Sequence, residues 1–166
     1  MTLRRRLAQQ LESVQDLELA SESRSWEGLE LLLVGKTSGG TYLMGFAAEM
    51  LLKCAYFRFS GAAPADAVKP RLGPARKPGQ LLIPVVPHEQ YHSPRFWALL
   101  HLAARRSRHA PLAAIMEAQL VQRMRRLHQN WWVEMRYRAI EPSPLEVRSV
   151  FDDVSWLRAN YVLLWR

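Results

Sequence analysis

The stretch from residue 40 to residue 53, Gly-Thr-Tyr-Leu-Met-Gly-Phe-Ala-Ala-Glu-Met-Leu-Leu-Lys, constrains the fold more than any other. It reads as a helix that is apolar on every side, and such a helix belongs in the middle of a bundle rather than on its surface. Yet Glu49 and Lys53 stand four residues apart on it, on the face shared with Tyr42, Gly45 and Tyr56. A charge buried without a partner costs several kcal/mol, so this pair is either a structural ion pair or part of a site.

The rest of the chain punctuates into helices around it. Thr2 can cap a first helix with Leu3, Leu7, Leu11, Val14 and Leu17 on one stripe. A second helical piece from Ser25 to Val34 continues it or follows it, and a Gly/Ser turn spans residues 35–40. Ser38 or Thr41 starts the apolar helix, which ends near Gly61. Ser93-Pro94 opens a helix running to about Arg108. Pro111 opens another, with Leu112, Ile115, Met116, Leu120, Met124, Leu127, Trp131 and Met135 at helical spacing. Ser143-Pro144-Leu145-Glu146 is a capping box that starts the last helix. Between these, residues 61–94 hold seven of the ten prolines together with Lys69, Arg71, Arg76 and Lys77. They read as a long basic loop, its second half pinned by Leu81, Leu82, Ile83, Val85 and Val86. The expectation is one all-α domain over 1–166, a bundle of about five helices with a Pro-rich loop insertion at 61–94.

Charge is unevenly spread. The chain carries +8, and nineteen of its 23 basic residues are Arg. Residues 1–60 balance, whereas residues 61–118 carry eight basic against three acidic and residues 119–138 five against one. A positive middle points to an anionic partner, with RNA or DNA the default, and Arg suits phosphate because its fork binds bidentately. Arg105, Arg106, Arg108, Arg125 and Arg126 are the candidate nucleic-acid contacts; solvated basic faces are the plainer reading. Trp97, Trp131, Trp132, Trp156 and Trp165 suit base stacking, but beside Leu and Met they read better as core or dimer interface.

Three further motifs are weak. His88-Glu89-Gln90-Tyr91-His92 matches the zinc-protease pattern, but Pro87 and Pro94 bracket it, so no long helix can align the two histidines. Gly35-Lys36-Thr37 ends like a phosphate loop, but position 30 is Glu rather than Gly. Cys54 lies in the apolar helix, where it reads as a small core residue. No metal and no cofactor is called for. No run is long and uncharged enough to span a membrane and no apolar signal region follows Arg4-Arg5-Arg6, so a cytoplasmic protein is expected.

Tyr42-Leu43-Met44-Gly45-Phe46-Ala47-Ala48-Glu49-Met50-Leu51-Leu52-Lys53 resembles the first core helix of HEPN domains, small prokaryotic helical bundles that bind nucleotides or cut RNA. Trp132-Val133-Glu134-Met135-Arg136-Tyr137 resembles the Arg-Tyr helix ending of their nucleotide-binding branch. The resemblance covers roughly residues 37–166. It implies a homodimer, an RNA partner or a partner protein, a defence or toxin–antitoxin setting, and metal-independent RNA cleavage by an Arg followed four to six residues later by His. Arg123 with His128, and Arg95 with His101, fit that spacing about as often as chance allows. Arg123 and His128, in the most basic helix, are the preferred catalytic candidates, although Met124 stands where the family usually has a polar residue. As a charge on an otherwise apolar helix, Glu49 is expected to lie buried and paired with Lys53 or with Arg136 of the Arg-Tyr motif, in a polar network that includes Tyr137. The rival expectation is a non-catalytic interaction or nucleotide-binding module that regulates a partner enzyme.

Overall fold

A computed structural model describes residues 12–82, 92–137 and 141–166, and their side chains except those of 76–82 and of Arg136. The described residues form α1 (Val14–Leu33), α2 (Thr37–Phe59), α3 (Lys69–Leu82), α4 (Pro94–Ser107), α5 (Ala114–Asn130) and α6 (Pro144–Trp165). A 3₁₀ turn, Val133–Tyr137, lies between the last two helices. There is no strand among them, so the fold is all-α, and no described helix is long and apolar enough to cross a membrane.

The apolar helix takes the central place expected of it. α2 packs on α1, α4, α6 and the 3₁₀ turn, and residues on all its sides are buried. One core cluster draws on Leu17 of α1, Leu52 and Phe57 of α2, Ala75 of α3, Trp97 of α4, Leu127 of α5 and Val154 of α6. α1 lies against α2 through small residues, Ser21, Ser25 and Gly28. The Ser21 hydroxyl donates to the Ala47 carbonyl, and a side chain on Gly28 would collide with Met44. Close approach through small residues leaves the larger α1 side chains Leu19, Trp26 and Leu33 on the outside.

Several boundaries follow the caps. Ser93 accepts from the Phe96 amide with Pro94 in the first turn, and Ser143 with Glu146 forms the expected capping box. α1 starts at Ser13, capped reciprocally with Asp16; the expected cap at Thr2 and the stripe Leu3, Leu7 and Leu11 lie outside the described residues. α1 runs unbroken through Ser25. It ends with Gly35 left-handed, the Lys36 amide bonded to the Leu31 carbonyl, and α2 ends the same way at Gly61.

Two expectations need correction. Residues 61–94 are not one irregular loop. The backbone of residues 66–68 is bonded to residues 12–14, with Val68 N to Glu12 O at 2.8 Å, and α3 follows directly. Its prolines at 70, 74 and 78 are spaced by four, so their missing amides fall along one line of the helix. Pro70 and Pro74 are exposed, which leaves the idle carbonyls to water. The anchors at Leu81, Leu82, Ile83, Val85 and Val86 lie outside the described side chains. Nor does α5 continue to Met135. Trp131 is extended, its ring lies flat over Gly45, and its indole N–H donates to the Tyr42 carbonyl at 2.9 Å. That one contact draws the chain off the helix and onto α2.

Candidate nucleic-acid interface

Residues 92–133, essentially the α4–α5 hairpin, hold seven Arg and a single acid, Glu117. The hairpin is organised around Phe59 at the end of α2. His101 meets the Phe59 ring edge-on at 5.4 Å, and the guanidinium groups of Arg105 and Arg108 lie over it at 4.6 and 5.5 Å. Arg105 is buried and donates to the carbonyls of Ala110 (2.8 Å) and Leu164 (2.6 Å). Burial lowers its guanidinium pKa. It belongs to the frame and is not a nucleic-acid contact, because its buried guanidinium is out of reach of a phosphate at the surface.

The other basic residues lie further out. Arg106 is exposed and pairs with Glu117 across the hairpin. Arg108 is exposed and reaches back to the carbonyls of Phe59 (2.8 Å) and Ser60 (3.3 Å). Arg125 is exposed on the outer face of α5, with no ion pair among the described residues. At the hairpin tip His109 is left-handed, φ 55°, and the Ala110 amide bonds to the Arg105 carbonyl. This is the same helix ending that glycine provides in α1 and α2, here built with a side chain that dislikes it.

The preferred catalytic pair is divided. Arg123 donates to the buried Asp153 of α6 at 3.1 Å and lies over Trp156. Arg126 clamps the same carboxylate with two donors, which raises its own pKa, so it is half-spent as a phosphate contact. His128 leaves α5 the other way, toward the start of α4, where its Nδ1 meets the Ser93 hydroxyl at 3.3 Å and its ring packs on Trp132. Arg123 and His128 therefore serve different neighbours. Arg95 is exposed while His101 is buried, so that pair is separated as well.

Glu49 is fully buried and accepts from Lys53, as the spacing on α2 required. A second partner was not foreseen: His92 Nδ1 lies 3.2 Å from the same carboxylate, with its side chain 45% exposed. His92 was legible only as half of a failed zinc motif; its real signal was its place one residue before a helix cap. Because Ser93 holds His128, the Glu49–His92 pair and His128 share the N-terminal end of α4. His88 and Glu89 lie outside the described residues, as does the Arg136 side chain. Tyr137 is largely exposed, so it is not the buried member of the network that was expected. Beside His128 a cleft of about 450 Å3 is lined by Trp131, Trp132, Glu134, Glu141 and Glu146. Three carboxylates on its walls disfavour a nucleotide there. Cys54 is buried, and burial with nearby Glu18 pushes its thiol up to about 11, which keeps it protonated.

No protein-family profile matches this chain, and neither a curated protein nor a solved structure matches it.

Proposed function

We propose that this chain is a non-catalytic RNA-binding module that meets the phosphate backbone with the outer face of the α4–α5 hairpin. The observation that carries this reading is the seven-to-one excess of Arg over acid in residues 92–133, with Arg106, Arg108 and Arg125 exposed. The strained His109 at the tip of the same face adds support, since backbone strain is retained mainly where a side chain is used. The non-catalytic half rests on the division of the pair: Arg123 turns to Asp153 and Trp156 of α6, whereas His128 turns to Ser93 at the start of α4.

Cleavage is a second reading with one observation in its favour. His92, oriented by a buried carboxylate, and His128 stand at the same helix end, which is how an acid–base pair is built. An RNA-cleavage assay in excess chelator separates the two readings. No cleavage is expected from the wild type while it binds RNA. Cleavage lost in both His92→Ala and His128→Ala would replace the module with an enzyme. Joint charge reversal at Arg106, Arg108 and Arg125 to Glu is expected to abolish binding; undiminished affinity would remove the hairpin from the interface.

A further inference from the structure

The face opposite in character to the basic hairpin is built by α1 and α6. α1 carries five acids against one Arg, in a chain whose net charge is +8. Its outward stripe reads Leu19, Glu22, Trp26, Glu30, Leu33, with the three apolar members 56%, 52% and 77% exposed. Leu19, Trp26 and Leu33 are seven residues apart and lie along one line about 21 Å long. α6 runs antiparallel beside α1, and both rest on α2. The seam between them opens into a cleft at each end, about 620 Å3 where Glu22 faces Ser155 and Arg158, and about 520 Å3 where Leu33 faces Val147, Arg148 and Phe151. Between the clefts Arg158 lies over the Trp26 ring at 5.2 Å.

We propose that this face closes on a second copy of the chain, with the two-fold axis running along the α1–α6 seam. The lips of the seam are opposite in sign: Glu22 and Glu30 on α1, Arg148 and Arg158 on α6. Rotation about an axis along the seam lays α1 of one copy over α6 of the other at the same height. Glu22 then meets the partner's Arg158 and Glu30 approaches the partner's Arg148, each contact occurring twice. Trp26 fills the middle, with Leu19 toward one end and Phe151 toward the other. Rotation about an axis across the seam instead stacks α1 on α1 and sets Glu22 against the partner's Glu30, so like charge excludes it. Two helices about 30 Å long and together about 20 Å wide offer some 600 Å2 per copy, enough for a weak to standard interface. Glu22 and Glu30 make no ion pair among the described residues, and Arg148 holds Asp152 only at 3.9 Å, so little is broken on association. The closed assembly leaves both basic hairpins outward.

Sedimentation at micromolar concentration tests this, with circular dichroism verifying that each variant is folded. The wild type should be a dimer. Trp26→Glu, and separately the double variant E22R/E30R, should weaken association by about 100-fold or more. Adding R148E and R158E to E22R/E30R should return the dimer to within about tenfold of wild type, because the lips have exchanged sign. A monomeric wild type would overturn the proposal and leave the seam to a different protein. So would a dimer indifferent to Trp26→Glu and to E22R/E30R, or one that the compensating pair fails to restore.

Discussion

Glu49 shows how a buried charge is tolerated. Its carboxylate has no contact with water, yet both partners, Lys53 and His92, keep part of their surface in solvent. Removing the carboxylate therefore leaves partners that can rehydrate. Glu49→Ala should cost about 2 kcal/mol in urea denaturation, below the 3–5 kcal/mol typical of breaking a fully enclosed pair. His101 is the opposite case: it is buried with neither ring nitrogen hydrogen-bonded among the described residues, and burial followed by Arg105 lowers its pKa to about 4. The unfolded chain takes up this proton near pH 6.5 and the folded one does not, so stability is lost as pH falls from about 6.5 toward about 4, by about 3 kcal/mol in total. His101→Leu should flatten that part of the pH profile; an unchanged slope would place the acid sensitivity elsewhere. The Glu49–Lys53 pair was legible because both residues share one helix and a spacing of four. His92 and Asp153 were not, because their partners stand 43 and 27 or 30 residues away and no local pattern records them.

α1, α4 and α6 begin at serine caps, and α1, α2 and α4 end where the backbone turns left-handed. Glycine marks two of those endings, and His109 hides the third. His109→Gly should raise thermal stability by about 1 kcal/mol, since glycine takes this conformation without strain. If His109 also serves the basic face, the same variant binds RNA less well, so stability and affinity move in opposite directions. Ser93→Ala removes a buried cap and should cost about 1–2 kcal/mol by chemical denaturation. α3 was illegible because proline is read as a breaker one residue at a time. Pro70 falls in the first turn, where its missing amide costs no helix bond, and the helix continues past Pro74 and Pro78.

At the scale of the whole molecule, charge is sorted into two faces. The sequence shows the basic middle directly. It conceals the acidic α1, because Arg4, Arg5 and Arg6 balance those acids within residues 1–60. The dimer surface proposed above differs from the tryptophan-rich one expected from sequence for a related reason. Trp97 and Trp131 are buried, and Trp132, Trp156 and Trp165 are partly covered by the rest of the chain. The tryptophan left outward is Trp26, on a helix whose small residues do the packing. Helix spacing predicted which side chains are apolar, but the neighbour that covers each one is a property of the assembled bundle.

RNA affinity measured across salt concentration tests the central claim most directly. Fluorescence anisotropy with a short single-stranded RNA should give a steep fall in affinity between low and physiological salt, with the log–log slope set by about 0.7 per phosphate contacted. Reversing Arg106, Arg108 and Arg125 to Glu should lower that slope by about 2 or abolish binding altogether. Affinity that hardly changes with salt, or a variant whose slope matches wild type, would contradict the account.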